Sequence, residues 1–299
     1  MTRDLEPALL GTFLEVLRHG GIGAAARATD LSQPAVTARI RKLEEILGTP
    51  LLTRSSQGVA PTPAGDRLAD YARRIQSLLD EAAIEVSSSH PRLGNLRLMA
   101  STTLAAHVLP KALAAFRGRY PWVPLDVRIG NTKEVCDAVR AGEVPLGLVE
   151  GHARAPGVHL EPWLDDEIVP MVGAESPWRP RSPEDLEELP LLWREPGSGT
   201  RAVVARGLKE AGVRRRPANQ DLVLASSEAI VGAAAAGLGL AFLSRWTASA
   251  HLAAGRLKPV PALGLEFRRS FHWALPSSAP GGAAGLFLNF AQGLPLRPA

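Results

Sequence analysis

The sequence predicts two folds in one chain: an all-α, winged N-terminal domain, then a long linker helix, then a two-lobed α/β domain. Three observations carry this. The chain opens with three short helical segments and a tight turn between the second and third, the helix-turn-helix arrangement. A four–three alternation of apolar residues follows, as on a long helix with one apolar seam. From Asn95 onward, apolar strand-like runs alternate with helical ones, the pattern of a parallel sheet with crossover helices. The length of 299 residues suits about two domains.

The elements follow in order. Residues 8–18 read as a helix with Leu10, Phe13, Leu14 and Leu17 on one stripe. His19-Gly20-Gly21 breaks it, and an alanine-rich helix follows from Ala24 to Ala28. Asp30-Leu31-Ser32 makes the turn, with Ser32 a good N-cap and Pro34 near the first helical position. The third helix runs to about Leu47, where Gly48 ends it, and Val36, Ile40, Leu43 and Leu47 form its core stripe. Leu51 to Arg54 and the region of Val59 read as two short strands around a turn, a wing. Thr62-Pro63 then opens the long helix as N-cap and first residue. Its seam is Leu68, Ala72, Ile75, Leu79, Ala82 and Val86. Such a helix of about 25 residues is roughly 37 Å long. The seam suits either packing on its own domain or a dimer contact. Its place, between a complete small domain and the break at Ser87–Pro91, favours the dimer.

In the α/β part, Leu96–Ala100, Leu125–Ile129 and Leu146–Val149 read as strands, with helices at Val108–Tyr120 and Glu134–Ala141. A second unit starts near Asp166. It holds strands at Leu191–Arg194 and Leu222–Ala225 and helices at Thr200–Ala211 and Ser227–Ala236. Two such units in series predict two lobes with a cleft between them. The expected divisions are 1–61, 62–92 and 93–299, with one lobe at 93–164 and 270–299 and the other at 165–269.

Composition narrows the function classes. Hydrophobic residues make up 45% and charged residues 21%, as in a chain that buries real cores. No apolar run approaches the roughly 20 residues that span a bilayer, so no membrane partner is expected. Met1–Glu6 does not read as a secretory leader. The single cysteine, Cys136, excludes a disulfide framework within the chain and a cysteine-based zinc site, and points to a reducing cytoplasm. Cys136 sits beside Val135 and Val139 and reads as structural. The net charge of +4 permits nucleic-acid binding without requiring it. The seven histidines show no metal-ligand spacing, and no Ser/His/Asp arrangement can be built; no metal, cofactor or catalytic residue is expected. Gly21-Ile22-Gly23-Ala24-Ala25-Ala26 fits the dinucleotide fingerprint in letters, but it follows a helix where that fingerprint needs a strand. Gly197-Ser198-Gly199-Thr200 lacks the lysine and spacing of a Walker loop.

Two sets of binding residues emerge. At 100° per residue, the third helix turns Pro34, Ala38, Arg41 and Glu45 away from its core stripe, with Ala35, Thr37 and Lys42 on the shoulders. The N-terminal part of such a helix enters the major groove of double-stranded DNA. Gln33 suits adenine, Thr37 several base edges, and Ala35 a thymine methyl. Arg39, Arg41, Lys42 and the wing's Arg54 suit phosphates. The competing reading is a solvated, charged helix face. In open α/β sheets, ligands sit beyond the carboxyl ends of strands, at helix starts. Ser101-Thr102-Thr103, Asn131-Thr132, Ser198-Gly199-Thr200 and Ser226 occupy such places. Hydroxyls, an amide and free N–H groups there suit a small anionic effector; ordinary N-capping is the competing reading of each.

The run from Ala24-Ala25-Ala26 through Leu31-Ser32-Gln33-Pro34-Ala35-Val36-Thr37 to Ile40-Arg41-Lys42-Leu43-Glu44 resembles the DNA-binding signature of the LysR-type transcriptional regulators. So do Gly48-Thr49-Pro50-Leu51-Leu52-Thr53-Arg54 and Thr62-Pro63-Ala64-Gly65. The pieces Ala100–Thr103, Gly130-Asn131-Thr132 and Arg194–Arg201 are similar to the branch with carbon-fixation and sulfur-linked regulators. The resemblance implies a dimerising linker helix, a two-lobed domain similar to periplasmic binding proteins, a homodimer or homotetramer, and control by a small molecule. Three residues depart from the pattern. Leu52 replaces a usual phenylalanine, Gly21 a usual capping serine, and Ala38 a longer polar side chain, which removes one base contact.

Overall fold

A computed structural model describes residues 5–55, 58–86, 94–151, 155–213, 220–277 and 279–298; side chains at 54–58, 74, 77, 78 and 80–86 lie outside that description. The chain forms two compact units. One is Met1–Gly94 with Gly281–Leu294; the other is Asn95–Pro280 with Pro295–Ala299.

In the first unit, α1 (Pro7–His19), α2 (Ile22–Ala28) and α3 (Gln33–Leu47) surround one core. α1 begins on a proline and ends at Gly20, whose φ of 66° is the left-handed stop that a side chain resists. Ser32 caps α3 by accepting from the Ala35 N–H, and Gly48, at φ 68°, ends it. Leu9, Leu10, Phe13 and Val16 meet Val36, Ile40 and Leu43 in the core, with Leu14 and Leu17 only half-buried. The stripe of α1 is therefore rotated toward Leu9 and Val16 relative to the sequence reading. β1 (Leu52–Ser55) and β2 (Gly58–Pro61) pair antiparallel as the wing. α4 (Pro63–Val86) starts where Thr62 Oγ1 accepts from the Gly65 N–H at 3.0 Å. Gly65 is required there, because a Cβ would stand 2.1 Å from the Leu51 carbonyl oxygen.

One expectation needs correction. Ala72 is 1% exposed within the single chain, and Leu68 and Ile75 pack on the same core. The first half of the seam is thus filled by its own unit, since a helix lying on its own domain shows the same four–three spacing as a coiled-coil seam. Leu79 is 41% exposed and remains free for a partner. Ala82 and Val86 lie outside the described side chains. By its contacts the segment Gly281–Leu294, read from sequence as part of the first lobe, groups with the first unit, where α11 (Gly282–Gln292) packs on α4.

The second unit is built on a nine-stranded sheet. β4 (Leu125–Gly130), β3 (Leu96–Ser101) and β5 (Gly147–Glu150) form one side, with α5 (Thr102–His107), α6 (Leu109–Arg119) and α7 (Thr132–Arg140). β9 (Leu240–Ser244), β7 (Leu191–Arg194) and β8 (Leu222–Leu224) form the other, with α8 (Gly199–Glu210), α9 (Ser227–Ala235) and α10 (Arg245–Ala253). Between them run β6 (His159–Gly173) and β11 (Phe267–Leu275); β10 (Leu257–Pro259) pairs with β6. β11 pairs with β5 from Phe271 to Ala274, and β6 pairs with β9 from Ile168 to Met171. The two long strands therefore hand the sheet from one lobe to the other near Asp165 and Ser270, which face each other in register. The alternation predicted a parallel sheet. The sheet is mixed: β3–β4, β3–β5, β7–β8 and β7–β9 are parallel, while every pairing of β6 and β11 is antiparallel.

Candidate functional site

On α3 the polar and small residues stand clear of the core. Gln33, Pro34, Ala38 and Arg41 are exposed; Ala35 and Thr37 are half-buried. Gln33, Pro34, Thr37, Ala38 and Arg41 border one surface concavity of about 450 Å³. Thr37 donates its hydroxyl proton to the Gln33 carbonyl at 2.9 Å, so its oxygen is left as an acceptor. Arg41 has no side-chain partner among the described residues. Arg39 and Lys42 are different. Arg39 Nη1 donates to Thr12 Oγ1 at 3.0 Å, and Lys42 Nζ lies 2.6 Å from Glu6 Oε1. Arg39 is tied into the fold, and Lys42 must leave an exposed ion pair to meet a phosphate. The Arg54 side chain lies outside the described residues.

In the second unit, the hydroxyl clusters converge on buried charge. Glu150, 2% exposed at the end of β5, accepts from Ser101 Oγ at 2.7 Å and the Thr103 N–H at 3.2 Å on Oε1. Its Oε2 accepts from Thr200 Oγ1 at 2.6 Å and Arg269 Nη1 at 2.7 Å. Arg269 also reaches Asp166 at 2.6 Å, and Ser244 Oγ donates to the other Asp166 oxygen at 2.8 Å. Burial pushes the Glu150 carboxyl up; Arg269, then the Thr200 and Ser101 hydroxyls, outweigh it and hold it at about 2. Burial outweighs Arg269 and Ser244 at Asp166, whose carboxyl is raised. Backbone packing sets the frame. Gly199 lets α8 approach so closely that a Cβ would lie 2.1 Å from the Glu150 carbonyl oxygen.

A second hydroxyl group adjoins the first. Ser227 Oγ lies 3.3 Å from Thr102 Oγ1, 3.2 Å from Thr103 Oγ1 and 2.9 Å from Arg194 Nη1. Arg194 is forked onto Glu195 at 2.8 and 2.9 Å. Thr103, Arg194, Thr200, Ser227 and Thr247 line a narrow cavity with about 20 Å³ of room, enough for one water. Thr132, Ser198 and Gly199 border a separate, wider cavity of about 540 Å³ with Lys133, Cys136 and Arg201. Burial drives the Cys136 thiol up to about 11, which makes it a poor nucleophile there.

The predicted effector residues therefore divide. Ser101, Thr103 and Thr200 meet at Glu150, while Thr102 joins Thr103 at Ser227. Asn131 forms a capping box with Glu134. Ser198 and Ser226 accept from the Arg201 and Ala229 N–H groups, each at 3.4 Å. For these three, capping is the role their contacts show. Sequence reasoning passed over Glu150, Asp166, Arg194 and Arg269. The available signal was Glu150 itself, an acid closing the apolar run Gly147-Leu148-Val149 at a strand's carboxyl end.

Comparison with known proteins gives two family matches: the bacterial regulatory helix-turn-helix protein of the lysR family over residues 7–66, and the LysR substrate binding domain over 89–294. The HTH-type transcriptional regulator CysL of Bacillus subtilis is 34% identical, covering 79% of this chain and 80% of its own. The solved structure of CrgA, a LysR-type transcriptional regulator from Neisseria meningitidis, is 23% identical with a TM-score of 0.66, covering 97% of this chain and 98% of that one. The regulatory domain of Synechocystis PCC6803 CcmR, in complex with 2-PG, is 25% identical with a TM-score of 0.58, covering 67% of this chain and 96% of that one.

Proposed function

Because this chain belongs to the LysR family of DNA-binding transcription regulators with an effector-binding domain, we propose that its effector is a small anion held between the two α/β lobes. One observation carries the reading. Hydroxyls of Thr103 on α5 and of Thr200 and Ser227 on the other lobe line one cavity with Arg194, and Thr102 reaches the same Ser227 hydroxyl at 3.3 Å. Helix starts carry partial positive charge and free N–H groups, so such a meeting point favours negative charge. That the regulatory domain of CcmR is seen with 2-PG supports a small molecule as the ligand class. With room for about one water, the cavity excludes a larger ligand until the lobes part. A ligand shifts that opening only by its differential affinity for the two states.

On this reading, residues 1–61 bind DNA, 62–92 form the linker and 93–299 respond to the effector. Gln33, Ala35 and Thr37 read bases, with Pro34 and Ala38 against the groove wall. Arg41 and Arg54 hold phosphates, and Lys42 joins them when it releases Glu6. Leu79, with Ala82 and Val86, joins two copies, and two dimers form a tetramer. The protein acts in the cytoplasm, and its output is DNA occupancy rather than turnover of a substrate.

The test screens the full chain by thermal shift against small carboxylates, phosphate esters and sulfate, each beside its neutral amide or alcohol counterpart. Anionic hits are expected, and they are lost in Thr102→Val and Ser227→Ala while effector-free DNA binding persists. Equal response to neutral counterparts contradicts the reading.

A further inference from the structure

The four donors around Glu150 come from three separate stretches of the second unit: Ser101 and Thr103, Thr200, and Arg269. Each carboxylate oxygen receives two of them, the full complement a small bound carboxylate receives in a built site. Arg269 keeps Nη2 buried with no partner among the described residues, as does the Thr247 hydroxyl on the wall shared with Thr103 and Thr200. A charge taken out of water costs several kcal/mol unless its surroundings are arranged for it, and a strand as apolar as β5 has no packing need for one.

We propose that Glu150 is a resident ligand: its carboxylate occupies the oxyanion cradle of the regulatory domain, and a small monoanionic oxyanion takes the same four donors once that carboxylate is removed or displaced. This rests on the reading of an anionic effector between the lobes and adds to it the donors used and the competitor already in place. Charge supports the stoichiometry. Arg194 is matched by Glu195, and Arg269 is shared by Glu150 and Asp166. Without Glu150 the Arg269–Asp166 pair is neutral, so one monoanion restores the charge of the native cluster. The tethered carboxylate lowers the apparent affinity of any free anion by the fraction of molecules in which the cradle is open.

The experiment uses the full chain without DNA. Glu150→Ala is melted in acetate, in formate and in sodium chloride of equal ionic strength, beside the wild type. The variant is expected to melt below the wild type and to recover in acetate or formate but not in chloride, while the wild type shifts in none of them. Adding Thr200→Val to Glu150→Ala should weaken acetate binding about fivefold or more. Glu150→Gln keeps the shape and removes the charge, so it tests the same idea should the alanine variant fail to fold. Calorimetry should show it binding acetate at least about tenfold more tightly than the wild type does. If neither variant gains acetate binding over the wild type, Glu150 is not a stand-in for a ligand. A neutral natural effector, with acetate rescue intact, would sink the functional reading and leave the cradle standing. An anionic effector with no rescue would sink this inference alone.

Discussion

The recognition helix and the cleft of the regulatory domain draw on similar side chains under opposite conditions. On α3, Gln33 and Arg41 reach solvent with no side-chain partner among the described residues. In the cleft, Ser101, Thr200, Arg194 and Arg269 are buried and already hydrogen-bonded to Glu150, Glu195 or Asp166. A polar group left open at the surface costs little and awaits a partner. A polar group sealed inside must be satisfied by the chain, because an unsatisfied one costs about 1–3 kcal/mol. On the proposed reading, the first region binds on contact and the second exchanges one partner for another.

That contrast breaks most visibly at the two arginines. Arg269→Met leaves Glu150 and Asp166 as buried carboxylates without their cation and should cost on the order of 3–5 kcal/mol in denaturant unfolding of the full chain. Arg41→Ala should stay within about 0.5 kcal/mol of the wild type in the same assay. Similar unfolding curves for the two variants would dissolve the distinction.

The next effects lie on DNA. Gln33→Ala and Thr37→Ala should each cost about 1–3 kcal/mol at the specific site and almost nothing on random sequence, measured by competition binding. Equal losses on both DNAs would show that neither side chain reads bases. Arg41→Ala should weaken both DNAs alike and flatten the plot of log affinity against log salt by about one unit per recognition helix. An unchanged slope would take Arg41 off the phosphates. Arg39, held by Thr12, should contribute far less to that slope than Arg41.

How legible each region was follows from the same contrast. The N-terminal unit was readable because its determinants are local: the Ser32 cap, the Gly48 stop and a core stripe at helical spacing. Strands β7 and β3 and helices α7 to α9 were placed within a few residues for the same reason. β6 was hidden by its own composition. Its fifteen residues hold Pro162, Pro170 and a run of three acids from Asp165, which suppress any strand pattern. The charged cluster was hidden by distance, since Arg269 meets Glu150 across 119 positions and Asp166 across 103. The seam of α4 was legible as a seam but not as to its partner, because own-domain packing and dimer packing impose the same spacing. Leu79→Glu separates them: Leu79 is 41% exposed, so the variant should keep the unfolding midpoint of the wild type while light scattering shows a smaller particle. An intact oligomer would move the interface away from this helix.

The cradle itself is tested most directly at Thr200, by denaturant unfolding of Thr200→Val in the full chain with binding to the specific DNA site followed in parallel. Valine keeps the shape and removes the donor that stands 2.6 Å from Glu150 Oε2. The expected result is a loss of about 1–3 kcal/mol in stability with effector-free DNA affinity unchanged. Unchanged stability would mean that Glu150 is not held as described, and the contrast between an open reading helix and a self-filled ligand site would fail with it.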